Sequence, residues 1–432
     1  MMSVYQDLTG KKASLAVIGM GYVGLPVALA FAKKLRVIGF DTDAERITKL
    51  QNGIDPGKEM TAADFSGTDI LFTSDPSAVK ESVFFLVAVP TPVDKHKVPD
   101  LTALKTAAAT VGRYLKKGDT VVFESTVYPG CTEEECLPVM EQISGLCCGK
   151  DFNLGYSPER INPGDRVHTL ANTVKIVAGS DEQALAIISR IYELIIAAGV
   201  YRAVNIKTAE AAKIVENTQR DVNISLMNEL SVIFDKLGIN TFDVLEAAGT
   251  KWNFNKFTPG LVGGHCINVD PYYLTHKAKQ LGYHSKVISA GRFVNDEMPH
   301  YVSKKVIQHI IRYSGDTGNA KILVLGATFK ENVTDIRNAK AADMVKDLLG
   351  YSVKVDFVDA LADPLAVQRE YGVSLKSTIG TGYDAVVLAV PHAVYTDFSE
   401  SWLLSITRPN ALFADLKGVY RNKITKLAYW SL

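Results

Sequence analysis

The apolar run Ser14 to Ile18 leads directly into Gly19-Met20-Gly21-Tyr22-Val23-Gly24. Three glycines at this spacing, between a buried strand and a helix start, form a dinucleotide fingerprint. Gly19 makes the turn, Gly21 lets the backbone approach a pyrophosphate, and Gly24 lets helix and strand pack closely. The helix N-terminus then faces the negative charge, and Tyr22 and Val23 fall within the same contact. Alone, the pattern also fits a βα turn with no ligand. The next apolar run sharpens it, ending in Gly39-Phe40-Asp41, about 20 residues past the glycines, where a carboxylate can bind ribose hydroxyls. A carboxylate there repels a 2′-phosphate, which favours NAD over NADP. Asp43 and Arg46 follow on the same loop, where they could touch the adenosine or serve as a solvated helix start.

The turn sits in a βαβ rhythm. Ser14 to Ile18, Arg36 to Phe40, Val83 to Val89 and Thr120 to Phe123 are near-continuous apolar runs bounded by turn residues, as in strands buried on both faces of a parallel sheet. Helix-like stretches such as Pro26 to Lys34 and Leu101 to Leu115 lie between them. From Lys207 to Leu237 runs a helical pattern without Gly or Pro, either one long helix or two meeting at a kink, with Gly238 as its stop. A second βα rhythm follows at Lys321 to Leu325, Val353 to Val358, Asp384 to Val390 and Leu412 to Leu416. The predicted fold class is α/β: two Rossmann-like, doubly wound parallel-sheet domains joined by a long central helix and a helical middle domain. The predicted boundaries are 1–204 for the dinucleotide domain, 205–312 for the central helical domain and 313–432 for the last domain.

Composition narrows the partners. Lys plus Arg and Asp plus Glu both number 47, and the zero net charge argues against nucleic acid or an anionic membrane surface. The N-terminus lacks the basic and apolar regions of a signal peptide, and no apolar run approaches a membrane span. The cysteines Cys131, Cys136, Cys147, Cys148 and Cys266 are odd in number, with no repeated metal-ligand spacing. The expectation is a reduced, cytoplasmic protein with free thiols, without metal.

Two loops end on the expected cofactor crevice: Val89-Pro90-Thr91-Pro92 and Glu124-Ser125-Thr126-Val127-Tyr128-Pro129-Gly130. Prolines stiffen them, and Thr126 offers a hydroxyl. The most unusual stretch is Phe257-Thr258-Pro259-Gly260-Leu261-Val262-Gly263-Gly264-His265-Cys266-Ile267-Asn268-Val269-Asp270. Its glycines are expected to leave backbone N–H groups open to a ligand phosphate, and a loop or helix start lowers a thiol pKa. Asp270 lies one helical turn beyond Cys266. A lone cysteine is as easily a buried apolar filler. His265 is a poor base for Cys266, since adjacent residues point apart. Glu210, Lys213 and Asn217 fall at helical spacing on the long helix, with Lys213 and Asn217 on one face. The loop 156–165, Tyr-Ser-Pro-Glu-Arg-Ile-Asn-Pro-Gly-Asp, is dense in polar residues, and Phe329-Lys330 and Asp335-Ile336-Arg337 follow the first strand of the last domain.

These segments together resemble the UDP-glucose/GDP-mannose dehydrogenase family over essentially the full length. The resemblance rests on Gly-Met-Gly-Tyr-Val-Gly at 19–24, Val-Pro-Thr-Pro at 89–92, Ser-Thr-Val-Tyr-Pro-Gly at 125–130 and Ser-Pro-Glu-Arg at 157–160. It continues through Glu210/Lys213/Asn217, Gly-Gly-His-Cys at 263–266, Phe-Lys at 329–330 and Asp-Ile-Arg at 335–337. It implies NAD on the first domain, a UDP-sugar on the last, and a long helix that forms a homodimer. Cys266 is then the nucleophile, Lys213 and Asn217 the oxyanion stabilisers, and Asp270 a partner of Lys213 and the hydrolytic water. Thr126 and Glu159 serve the water and proton transfers. The implied cofactor contacts are Gly19, Gly21, Tyr22, Val23, Gly24, Asp41, Arg46, Pro90, Thr91, Thr126 and Arg337. The implied substrate contacts are Glu159, Arg160, Lys213, Asn217, Phe257, Gly260, Gly263, Phe329 and Lys330.

Members acting on UDP-glucose continue Ser-Pro-Glu-Phe, with a second Glu four residues after the first. Here Arg160 follows Glu159 and Pro163 takes that second place, a form similar to the branch that oxidises UDP-N-acetylhexosamines for surface polysaccharides such as capsule or O-antigen. Asn268 stands where the resemblance leads one to expect glycine, and the sequence offers no physical reason for it. The implied reaction is a four-electron oxidation of the sugar C6 alcohol through a Cys266 thiohemiacetal and thioester. The alternatives are UDP-glucose oxidation, a β-hydroxyacid or 6-phosphogluconate-type dehydrogenase that needs no thiol, and a non-catalytic NAD sensor.

Overall fold

The computed structural model describes residues 3–57, 59–94, 96–161, 167–264, 266–315 and 317–432. The chain divides into two compact units, Met1–Glu216 with Tyr272–Tyr283, and Asn217–Pro271 with His284–Leu432.

The first unit is built on eight strands: β1 (Ser14–Ile18), β2 (Val37–Phe40), β3 (Ile70–Thr73), β4 (Ser82–Val87), β5 (Thr120–Phe123), β6 (Asn153–Tyr156), β7 (Lys175–Gly179) and β8 (Val200–Arg202). Their order is β3-β2-β1-β4-β5-β6-β7-β8, parallel except for the antiparallel pair β6/β7. β1, β2, β4 and β5 are almost wholly buried, which is why they read as unbroken apolar runs. Val17, Val37, Phe84, Leu86 and Val122 pack there against Phe31, Ile188 and Tyr192 from the covering helices. The strand order reverses between β1 and β4, and ligands of open α/β sheets bind at the carboxyl ends beside such a switch point. The 19–24 and 88–92 turns both leave the sheet there.

The second unit carries a five-stranded parallel sheet, β9 (Lys321–Leu325), β10 (Lys354–Val358), β11 (Tyr383–Leu388), β12 (Thr407–Asp415) and β13 (Ala428–Ser431), in the order β10-β9-β11-β12-β13. Its switch point lies between β9 and β11, where Gly326 to Lys330 and Val390 to His392 emerge. One core face gathers Ile322, Val324, Ala385 and Val387 with Met344 and Leu348; the other gathers Leu323, Leu325, Val386 and Phe413.

The long helix is a single element, Ile206–Leu237, rather than two meeting at a kink. A second long helix, Lys286–Ser314, carries Pro299 inside it. The two pack closely where Gly291 faces Ser225: a Cβ at Gly291 would lie 2.8 Å from the Ser225 hydroxyl oxygen. No described helix is long and apolar enough to cross a membrane.

Candidate active site

The dinucleotide turn has the local geometry its glycines imply. Gly19 adopts φ +97°, and a Cβ there would sit 2.5 Å from the Ala88 carbonyl oxygen; one on Gly24 would collide with the Gly19 carbonyl. Gly21 differs, since a Cβ on it would meet nothing within 4 Å. Packing does not require glycine there, so the open space fits a group approaching from outside, as a pyrophosphate would. The helix Gly24–Ala32 has no side-chain cap, which leaves its start suited to an anion. Asp41 holds the turn by accepting the Met20 N–H at 2.7 Å and the Asp43 N–H at 2.9 Å. Asp43 caps the next helix, while Arg46 turns back to donate to the Met20 carbonyl at 3.2 Å and approaches Asp41 at 3.9 Å. These residues fit NAD, with Asp41 free to accept further hydroxyls on the lone pairs its two bonds leave.

Beside the switch point the two Pro-containing loops are tied together. Ser125 Oγ donates to the Val89 carbonyl at 2.7 Å and accepts the Val89 N–H, and Thr91 Oγ1 donates to the Thr126 carbonyl at 2.7 Å. Tyr273 OH donates to the Thr91 carbonyl at 2.9 Å. Pro90 is exposed and Thr126 half-buried on this ridge.

Glu159 and Lys213 form a buried ion pair, with Nζ donating to Oε1 at 2.6 Å and side chains 2% and 6% exposed. Burial alone would raise the Glu159 carboxyl; the Lys213 charge and hydrogen bond outweigh it and, with the Ile161 N–H, hold the group below the usual carboxylate range. Beneath that loop lies a cluster not anticipated from the sequence. Lys175 donates to Glu124 Oε2 at 2.9 Å and to the Pro158 carbonyl at 2.8 Å, and Tyr192 OH donates to the other Glu124 oxygen. The turn preceding Glu159 is therefore clamped from below by a buried cation. Arg160 donates to the Val174 carbonyl at 2.8 Å and to Glu216, which engages its guanidinium within the protein. Glu210 accepts the Gly130 and Thr132 N–H groups at 2.5 and 2.9 Å.

In the second unit, Cys266 opens the turn that feeds helix Asp270–Gln280. Its carbonyl accepts the Val269 and Asp270 N–H groups at 2.9 and 2.8 Å. Asp270 in turn accepts Asn217 Nδ2 at 2.5 Å, and Asn217 lies one turn beyond Lys213 on the long helix. The expectation that the glycine run offers its N–H groups to a phosphate is corrected at two positions. Gly260 N–H donates to Asn228 Oδ1 at 2.8 Å, and Gly264 N–H to the Arg337 carbonyl at 3.2 Å. Gly264 is glycine for another reason: it has φ +89°, and a Cβ would strike the Phe329 ring at 2.9 Å. The cysteine loop is thus seated on Phe329 and on Asn338, whose side chain donates to the Gly264 carbonyl. His265 and Pro163 lie outside the described residues.

Lys330 is half-buried beside the Phe329 ring, and Phe257 is half-buried at the start of the glycine loop. Arg337 is exposed and forks onto Asp335. Lys417 was missed from sequence. Its Nζ donates to the Pro259 carbonyl at 3.2 Å and lies where a Cβ on Gly260 would be, and burial pulls its pKa down. The only signal was Asp415-Leu416-Lys417-Gly418 at the end of the last long strand.

Three models of one family match the chain in order. They are the NAD binding domain at residues 13–196, the central domain at 207–297 and the UDP binding domain at 323–422 of the UDP-glucose/GDP-mannose dehydrogenase family. A UDP-N-acetyl-D-glucosamine 6-dehydrogenase of Salmonella typhi is 49% identical, over 94% of this chain and 96% of that protein. A UDP-N-acetyl-D-glucosamine 6-dehydrogenase of Pseudomonas aeruginosa is 46% identical, over 94% and 97%. Among solved structures, the UDP-D-ManNAc dehydrogenase of Pyrococcus horikoshii superposes with a TM-score of 0.88 at 28% identity, over 97% of this chain and 98% of that one. With the fingerprint turn, the Glu159–Lys213 pair and the cysteine loop in place, the chain belongs to the UDP-glucose/GDP-mannose dehydrogenase family and is an NAD-dependent oxidoreductase.

Proposed function

We propose that the chain oxidises the C6 primary alcohol of a UDP-N-acetylhexosamine, UDP-GlcNAc or UDP-GalNAc, to the carboxylate, with Cys266 as covalent nucleophile. The observation that carries this reading is the cysteine turn, in which Cys266 opens the turn leading to Asp270 and Asp270 is held by Asn217. A dehydrogenase that stops at the aldehyde or ketone has no use for a thiol there. The substrate follows from the two relatives named as UDP-N-acetyl-D-glucosamine 6-dehydrogenases.

NAD, held by the 19–24 turn, Asp41 and the 89–91 loop, supplies the hydride acceptor for each of two oxidations. Removal of hydride and a proton from the alcohol leaves an aldehyde, and the Cys266 thiolate adds to its carbon. Lys213 and Asn217 donate to the resulting oxyanion; one such donor is typically worth about 2.7–4 kcal/mol. Loss of the second hydride from that carbon leaves a thioester. Water then adds and the C–S bond breaks, returning the thiol and releasing the carboxylate. Glu159, ionised beside Lys213, takes up protons, and Thr126 helps to order the water; Asp270 fixes Asn217. Phe257, Gly260, Gly263, Arg160, Phe329 and Lys330 bind the sugar nucleotide, and Arg337 serves the cofactor side. We read 205–312 as a dimerisation domain, which the exposure of Leu226, Ile233 and Leu237 on the long helix supports. The product suits a cytoplasmic step of capsule or O-antigen assembly.

NADH stoichiometry tests the reading. UDP-GlcNAc, UDP-GalNAc and UDP-glucose are each assayed to completion, and two NADH per N-acetylhexosamine nucleotide is expected. One NADH indicates a simple alcohol dehydrogenase, none a sensor, and a preference for UDP-glucose overturns the substrate. Cys266→Ser should stall with bound intermediate, and full turnover by that variant defeats the covalent step. Sedimentation of a monomer at micromolar concentration removes the dimer.

A further inference from the structure

A chain of buried polar groups in the second unit links the two ends of the cysteine loop. At one end, Asn228 clasps Gly260: its Nδ2 donates to the Gly260 carbonyl at 3.1 Å, and its Oδ1 accepts the Gly260 N–H at 2.8 Å. Asn228 Nδ2 also donates to Asn295 Oδ1 at 2.8 Å, and Asn295 donates to the Asp221 carboxylate at 2.8 Å. Asp221 accepts Arg292 Nη1 at 2.6 Å. Arg292 Nη2 then donates to Asn268 Oδ1 at 2.6 Å, and to Asp296 at 2.7 Å. Asn268 stands midway between Cys266 and Asp270. All five of Asn228, Asn295, Asp221, Arg292 and Asn268 are at most 4% exposed.

Such a chain could do no more than weld the two long helices together. Its ends argue otherwise. Both ends leave the helices and grip the same stretch, at Gly260 and at Asn268. Residues 255–263 have no regular secondary structure, so no ladder sets their path. Asn228 supplies for Gly260 the donor and acceptor that a neighbouring strand would supply. Arg292 is suited to the other end because its planar fork meets Asp221 and Asn268 at once, which an ammonium cannot do in that geometry. Asn268, unexplained by sequence alone, is the residue through which the fork reaches the turn.

We propose that Asn268 and Arg292 are positioning residues for the Cys266 turn, acting through one buried hydrogen-bonded chain that fixes both ends of the loop. The proposal rests on Cys266 being the nucleophile. A misplacement of about 1 Å in a reacting group can cost on the order of a hundredfold in rate.

The test uses the full-length enzyme with NAD and UDP-GlcNAc, and compares Asn268→Ala, Asn268→Asp and Arg292→Lys with the parent. Asn268→Ala should lower kcat about tenfold to a hundredfold while KM moves less than about threefold. It should also displace the pH midpoint of Cys266 alkylation by iodoacetamide, because the backbone around the thiol is no longer fixed. Asn268→Asp keeps an acceptor for Arg292 and should recover most of kcat. A melting temperature that falls while kcat and the alkylation midpoint stay at parental values overturns the proposal; so does an Asp variant no better than Ala. Cys266→Ser, run in parallel, separates the two ideas: full turnover there defeats the covalent reading, whereas a stalled Cys266→Ser with a normal Asn268→Ala defeats the positioning role alone. Arg292→Lys should reproduce the kcat loss, and the Asn268 pair decides the matter should the lysine variant not fold.

Discussion

Replacing Glu210 with glutamine should change how the stability of the NAD-binding unit depends on pH. Glu210 is fully buried, accepts the Gly130 and Thr132 N–H groups, and has its pKa pushed up to about 7, chiefly by burial. A folded-state pKa raised above the unfolded value near 4.5 means that the native state holds the proton more tightly. The resulting stabilisation is fully present below about pH 4.5 and is lost as pH rises through about 7. Integrated from about pH 5 to about pH 8, the loss is about 2–3 kcal/mol. Glutamine carries no such linkage. It carries instead a roughly constant cost of about 1–3 kcal/mol, since its amide can offer an oxygen to only one of the two N–H groups. The stability of the parent relative to Glu210→Gln should therefore fall by about 2–3 kcal/mol across that window. Hydrogen exchange by mass spectrometry on peptides covering residues 127–144, in a urea series at each pH, reads it locally. Because the result is a difference between two proteins, every other titrating group cancels. A relative stability that stays flat, or rises with pH, refutes the assignment of a raised pKa to this carboxyl.

Other substitutions probe the remaining parts. Asp41→Asn removes the charge and leaves one of the Met20 and Asp43 N–H groups without its acceptor, so NAD should bind about tenfold more weakly, about 1.4 kcal/mol, by fluorescence titration; an unchanged Kd contradicts the fingerprint argument. Lys175→Met leaves Glu124 buried without its cation, and should cost about 3–5 kcal/mol, seen as a lower melting temperature. A shift near zero would mean that the Glu124–Tyr192 bond suffices. His392→Ala removes the donor that, with backbone N–H groups, holds the buried Asp359 carboxyl below its usual range. The adjoining 327–332 loop should loosen, raising KM for UDP-GlcNAc about tenfold with NAD affinity unchanged, and an unaltered KM would show that the loop holds its shape without His392.

How much of this was legible depended on how local the signal was. β1, β2, β4, β5, β9 and β11 are continuous apolar runs, and they appeared within a residue or two of their observed ends, whereas β12 begins at Thr407, five residues before the expected Leu412, because its first residues are largely polar and exposed. The helix Lys286–Ser314 was not delimited within the predicted helical middle domain, and it contains Gly291 and Pro299, residue types that disfavour a helix interior. In the structure Gly291 is a packing requirement against Ser225, and Pro299 is absorbed inside the helix. The site divides in the same way. Cys266, Lys213, Asn217 and Asp270 stand in short motifs or at helical spacing, so sequence could group them. Glu124 with Lys175, and Asn228 with Asn295, are partners 51 and 67 residues apart. Only the topology brings them together, and no periodicity announces it.

The two Rossmann-like turns show why one sheet suits a dinucleotide and the other does not. Gly19 and Gly326 adopt φ of +97° and +98°, and each donates its N–H to the last residue of the neighbouring strand, Phe40 or Val358. Asp41 and Asp359 each accept the N–H of the following residue, Met20 or Ala327. Beyond that the resemblance ends. The place of Gly21 is taken by Thr328, which is 1% exposed and donates its hydroxyl to the Lys330 carbonyl, so the room above Gly21 is filled. The place of Gly24 is taken by Glu331, whose charge opposes a pyrophosphate. Asp41 is 16% exposed and can reach a ribose; Asp359 is wholly buried, with His392 against it. The second turn therefore keeps the backbone of a dinucleotide site with its ribose reader sealed and its phosphate cradle occupied. A nucleotide on that domain has to be met by side chains that project outward from the loop, and Lys330 is the cation the turn itself provides.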